Sequence, residues 1–180
     1  MLKVYDAGKF GFTLVELLIV IVVIGIIASI TLVSYNGTQG KANDVAVQSD
    51  LQNMGGQLDI NNATTHTYPS DELALSLIGL KVSKGSYGNH LVDGGTGYKY
   101  NALYCSTVSS YSPADFAIIA SSSSGNVFSY HSGKVAPYPS SSWTGGWGNM
   151  CPALLGVATG NSATGIWLYE NSIWKIWLNS

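Results

Sequence analysis

The chain has 180 residues, eight Lys, no Arg and a formal net charge of −2, and its scattered lysines form no basic stripe of the kind a nucleic-acid reader needs. Charged residues make up only 10% of it, against about 25% in an ordinary soluble domain, while Gly, Ser, Thr, Asn and Tyr are abundant. That balance points to a β-rich, extracellular protein, and the length accommodates one membrane segment plus one compact domain rather than two.

Residues 17–33 read LLIVIVVIGIIASITLV, without a charge, and between Phe12 and Gln39 the one residue charged at neutral pH is Glu16. As a helix, residues 12–33 would extend about 33 Å at ~1.5 Å per residue, which matches a hydrocarbon core of about 30 Å. Lys3 and Lys9 precede this run and no lysine follows before Lys41, so the positive-inside bias predicts a cytoplasmic N-terminus and an exported remainder. The run is too long and uniformly apolar for an ordinary secretory signal, and Ala28-Ser29 makes a weak cleavage site. Gly25 is the weak point of the span. A carboxylate at the start of such a helix is a functional residue whose partner has to be named, which singles out Glu16.

Gly11-Phe12-Thr13-Leu14-Val15-Glu16-Leu17-Leu18 resembles the cleavage and assembly motif of type IV pilins and pseudopilins, and the likeness extends through Gly25 and Tyr35. The resemblance implies a leader of residues 1–11 removed by a prepilin peptidase between Gly11 and Phe12, N-methylation of the new Phe12 amine, and an assembly role for Glu16. It also implies a hydrophobic membrane and filament-core helix over 12–35, an amphipathic continuation over 36–62 and a globular domain over 63–180. Two positions depart from the family pattern. Phe10 stands where a basic residue is common, with Lys9 one place back, and Val33 stands where many pilins have proline, so no kink is predicted there. Cleavage would leave an ammonium at Phe12 and a carboxylate four residues on, along one helical face. In a core of packed helices Glu16 of one subunit would neutralise the Phe12 amine of its neighbour, selecting the axial register, because a misplaced subunit leaves two charges unpaired in an apolar medium.

Beyond Tyr35, residues 36–40 (Asn-Gly-Thr-Gln-Gly) form a poor helical stretch that the sequence leaves open as helix or break. Val47, Leu51, Met54 and Leu58 then recur at helical spacing, predicting an amphipathic helix over 41–60 with Gly55-Gly56 as a soft spot. Tyr68-Pro69-Ser70-Asp71 reads as a turn leading into a short helical pattern through Leu73, Leu77 and Ile78, with Ser70 or Asp71 as the cap. From Gly94 the chain reads as β: strands over 98–104, 115–120 and 127–130, turns over 121–126 and 131–133, and a last hairpin from 165–169 to 173–178 across Glu170-Asn171-Ser172. A long N-terminal helix, its apolar half membrane-spanning, packed on a small antiparallel sheet is an α+β class that again resembles the pilin architecture.

Cys105 and Cys151 would meet an oxidising compartment once exported, so they read as one disulfide, with two buried thiols as the alternative. The loop they would close is worth roughly 4 kcal/mol in the chain-entropy model. A disulfide-bounded C-terminal region is also what the resemblance implies.

Catalysis and cofactors find no support. His66, His90 and His131 sit in turn-like contexts without a nucleophile motif or zinc spacing, and Asp93-Gly94-Gly95 lacks the alternating carboxylates of an EF-hand. All five tryptophans, Trp143, Trp147, Trp167, Trp174 and Trp177, fall in the C-terminal part, either as core and interface packing or, around Trp143 and Trp147, as a contact for a surface glycan or host cell. The triplets at Asn36 and Asn62 match glycosylation sequons but are too frequent in such sequence to count as sites.

The expectation is a non-enzymatic filament subunit without metal or cofactor. It would sit in the cytoplasmic membrane in a single pass, then join an extracellular homo-oligomeric pilus through the pilus assembly machinery, serving adhesion, motility or DNA uptake. The alternatives are a pseudopilin of a type II secretion or competence system, or a membrane-anchored lectin-like adhesin.

Overall fold

The computed structural model describes residues 11–88, 91–92, 99–107, 114–142, 147–158, 163–170 and 173–178, the side chains of residues 31–36, 91–92, 142 and 147 excepted. The chain divides into two compact units, Met1–Thr38 and Gln39–Ser180. Helix α1 (Leu14–Thr65) begins in the first and ends in the second. It passes through residues 36–40 without a break, so neither glycine there interrupts the hydrogen-bonded ladder, at a cost of only about 1 kcal/mol each. The helix also outlasts the predicted end of its amphipathic half and stops where His66 turns to a positive φ of 59°.

In the second unit a five-stranded antiparallel sheet has the order β6-β5-β4-β3-β7, made of β3 (Ala102–Thr107), β4 (Phe116–Ser121), β5 (Val127–His131), β6 (Lys134–Tyr138) and β7 (Ala163–Trp167). Alternation assigns its side chains to two faces. Ala102, Tyr104, Phe116, Ile118, Ala120, Phe128 and Tyr130 join the buried α1 residues Val47, Leu51, Met54 and Leu58 in one core. Leu103, Cys105, Ala117, Ile119 and Val127 join Met150, Cys151 and Leu155 in another. The second face is covered by α3 (Trp147–Leu155), which the β-like reading of the C-terminal region missed: Pro152 inside it and the Gly-rich approach hide a helix of two and a half turns. Both faces being covered, every residue of β3 and β4 is buried.

A second sheet, β1 (Leu91–Val92), β2 (Lys99–Tyr100), β8 (Tyr169–Glu170) and β9 (Ile173–Trp174), has the order β1-β2-β8-β9. Two of the predicted continuous strands are therefore each two strands. The run at 98–104 changes sheet at Asn101 and the run at 165–169 changes sheet at Leu168, whose N–H donates to Ala102 O at 2.9 Å. The predicted final hairpin forms over β8 and β9 alone. Strand β6, absent from the sequence reading, is an edge strand and carries Pro137, which lacks the N–H a central position would need. The turn between β5 and β6 is set by Ser132 and Gly133, with φ of 51° and 80°. The short helix α2 (Glu72–Ser76) takes Asp71 as its cap, Ala74 N–H donating to Asp71 Oδ1 at 2.8 Å.

Candidate functional site

At the start of α1, Thr13 and Glu16 form a reciprocal cap. The Thr13 N–H and hydroxyl donate to Glu16 Oε2 at 2.9 and 2.7 Å, and the Glu16 N–H donates to Thr13 Oγ1 at 3.2 Å. A carboxylate at this position satisfies helix N–H groups that have no intrahelical partner. Sequence reasoning singled out Glu16 but not Thr13, although the Thr-x-x-Glu spacing is the sequence mark of this motif. Gly11 and Phe12 precede the helix, with nothing within 4 Å of a Cβ placed on Gly11 and Phe12 85% exposed.

Every large apolar side chain over residues 12–30 is exposed, on all sides of the helix. Burying a Val, Leu, Ile or Phe side chain is worth about 1.5–3 kcal/mol, so this surface holds a large unspent driving force for removal from water. A helix apolar all round belongs in a protein core or a membrane. Its polar residues do not oppose this, since Ser29 spends its hydroxyl on its own helix by donating to Gly25 O at 2.7 Å. Among the described residues no helix is long and apolar enough to cross a membrane, the described side chains of the apolar run ending at Ile30.

The second unit fastens its portion of α1 by aspartates. Asp50 accepts from Ser83 N–H at 2.6 Å, Ser83 Oγ at 3.1 Å and Tyr87 OH at 3.1 Å. Asp59 accepts from Tyr68 OH at 3.1 Å and Tyr130 OH at 2.9 Å, and burial together with that carboxylate pushes both phenols up to about 12. Asp44 accepts from Ser124 Oγ and from Asn126 Nδ2 at 2.8 Å. Gly55, read from sequence as a soft spot, is where the Tyr130 ring lies against the helix: a Cβ there would overlap the ring.

Cys105 of β3 and Cys151 of α3 are joined, with sulfurs 2.01 Å apart and a sequence separation of 46, which ties α3 to the sheet. Trp143 lies outside the described residues, as does the side chain of Trp147. The other tryptophans are packed or tethered: Trp167 stacks on Tyr100 at 4.1 Å, Trp174 meets Tyr87 and Tyr169 at 5.0 and 5.1 Å, and Trp177 Nε1 donates to Glu72 at 3.1 Å. His131 Nε2 pairs with Asp115 at 2.7 Å, and His90 lies outside the described residues. Among the described residues no group of three His, Cys, Asp or Glu side chains is placed to hold a metal ion.

The prokaryotic N-terminal methylation motif matches residues 7–32. The chain is similar to the type II secretion system core protein G of Klebsiella pneumoniae, 33% identical over 85 residues that make up 47% of this chain and 61% of that protein. Its likeness to the protein of the same name in Escherichia coli K12 is 35% over 65 residues, 36% of this chain and 45% of the relative. The type IV wide pilus major component PilA4 of Thermus thermophilus is 35% identical over 71 residues, 39% of this chain and 54% of that one. These matches thus span less than two thirds of each relative's length. No solved structure matches.

Proposed function

We propose that this chain, whose N-terminal segment carries the prepilin motif of the type IV pilin and pseudopilin family, is a filament subunit that acts by polymerising through that segment. The observation that carries the reading is the pairing of an apolar surface around the whole of residues 12–30 with a single carboxylate at its start. Such a helix is stable when surrounded by lipid before assembly and by copies of itself afterwards, and Glu16 then serves register.

In this reading a prepilin peptidase cuts between Gly11 and Phe12 and the Phe12 amine is methylated. Residues 12–35 hold the subunit in the cytoplasmic membrane, N-terminus inside, until the assembly machinery transfers it to the filament. The Glu16 carboxylate already accepts from Thr13 and keeps lone pairs for a second donor, so a neighbour's Phe12 ammonium can join the cap without dismantling it. The subunit turns over no substrate and needs no cofactor. The Cys105–Cys151 bond holds the outer unit closed in an oxidising compartment.

A second reading, a pseudopilin within a type II secretion system, is favoured by the relatives of that name. Electron microscopy of sheared surface filaments with mass spectrometry of the subunit's N-terminus tests both. Filaments built of chains starting at N-methylated Phe12 support the pilus subunit. Processed chains without surface filaments, together with loss of exported proteins on deletion, support the pseudopilin. Intact Met1 or an end at Ala28-Ser29 refutes both.

A further inference from the structure

The second unit contains a cleft of about 470 Å³ between α1 and the edge of the five-stranded sheet, its lining including Asp44, Gln48, Gly125, Asn126, Phe128 and Pro137. That size lies within the range of small-molecule sites, about 300–1,000 Å³. Gly125 has a φ of 104°, a conformation a side chain would resist, so the hairpin tip keeps its approach to the cleft bare.

The polar groups of the cleft are held in place and offer acceptors. One Asn126 Nδ2 hydrogen is given to Asp44 Oδ2 at 2.8 Å, which leaves Asn126 Oδ1 to receive a donor and the second N–H to donate. One Gln48 Nε2 hydrogen is given to Asp44 O at 3.2 Å, which leaves Gln48 Oε1 and its second N–H likewise. The Asp44 carboxylate takes Ser124 and Asn126 and has further lone pairs. Among the described residues no Lys, Arg or His lines the cleft, and the Asp44 carboxylate disfavours an anion. Phe128 and Pro137, directly opposite each other across β5 and β6, supply an apolar wall. A ligand matching this set exchanges several hydrogen bonds, carries no negative charge, and has one apolar face. Hydroxyl groups on a ring with an exposed C–H face meet all three conditions.

We propose that this cleft binds a neutral saccharide, its hydroxyls donating to Asp44, Asn126 and Gln48 and its C–H face resting on Phe128 and Pro137. The site lies entirely within the second unit.

The test is an NMR titration of the full chain in detergent micelles with glucose, galactose, mannose and N-acetylglucosamine, and with tetramethylammonium as a cationic probe. At least one sugar should shift the Asp44, Gln48 and Asn126 amides saturably. Asn126→Ala should weaken that sugar by about tenfold, the loss of one hydrogen bond. Gln48→Ala, which leaves the contacts between Asp44 and the hairpin intact, should weaken it by a similar factor even if Asn126→Ala loosens the tip. Absence of saturable shifts with every sugar, a response to tetramethylammonium in place of the sugars, or wild-type affinity in Gln48→Ala would overturn the proposal.

Discussion

The two ends of α1 show what one helix does with a buried apolar stripe and with an exposed apolar surface. Toward the C-terminus, Val47, Leu51, Met54 and Leu58 form a narrow stripe that is fully buried, and Asp44, Asp50 and Asp59 receive hydrogen bonds from the hairpin tip, the loop at Ser83 and three tyrosines or their neighbours. Toward the N-terminus the apolar residues follow no period, and every large apolar side chain over residues 12–30 is exposed. Patterned apolarity builds an intramolecular core. Unpatterned apolarity is surface reserved for another medium or another molecule.

The sharpest way to break this comparison is Glu16→Leu. The variant makes the N-terminal half still more apolar, so a helix that served only as an anchor would insert as well or better. The filament reading expects processing at Gly11 to survive and surface filaments to be lost, because the Phe12 ammonium is buried without its partner. Wild-type filament yield, measured after shearing, would sink the role of Glu16, and Glu16→Asp should fall between the two.

Reducing the Cys105–Cys151 bond tests the other half alone. A loop closed at a sequence separation of 46 contributes roughly 4 kcal/mol in the chain-entropy model, so the second unit should melt at a distinctly lower temperature after reduction, while helix content in micelles from residues 14–38 stays unchanged. Loss of both together would mean the halves are not energetically separate.

Paired truncations within α1 carry the contrast to single residues. Leu51→Ala removes a fully buried side chain and should cost about 2–5 kcal/mol of the second unit's stability. Ile24→Ala, on an exposed position, should leave that stability unchanged. Thermal unfolding followed by near-ultraviolet circular dichroism distinguishes them, and equal effects would contradict the division.

The smallest effect expected is acid sensitivity at the hairpin tip. Burial pushes the Asp44 carboxyl up, but hydrogen bonds from Ser124, Ser122 and Asn126 more than offset it, so it sits below its usual 3.8. A lowered folded value means the contribution is complete above the unfolded value and is lost as pH falls through the folded one. Glu72, lowered by Lys175 and Trp177, behaves alike. Melting temperature should therefore fall below pH 3.8, and Asp44→Asn should make that fall shallower. An unchanged slope would show that the Asp44 contacts do not persist in solution.

Local pattern alone determined the elements whose partners do not matter to their form. The apolar run, the position of Glu16, the stripe from Val47 to Leu58 and the turn before Asp71 are all set by spacing and composition within a few residues. The tertiary structure decided what depends on distant groups. Residues 36–40 are helical despite two glycines, because a ladder already formed on both sides propagates cheaply. Gly55 is required by the Tyr130 ring rather than merely tolerated. Asn101 and Leu168 split continuous β-like runs between two sheets, since period-two alternation is the same in either. Helix α3 exists where the local sequence argues against it, with Pro152 in its interior, because Met150, Cys151 and Leu155 cover a sheet face that would otherwise be open to water. Burial of that face outweighs what Pro152 costs, and no window of sequence short enough to show a period contains both sides of that balance.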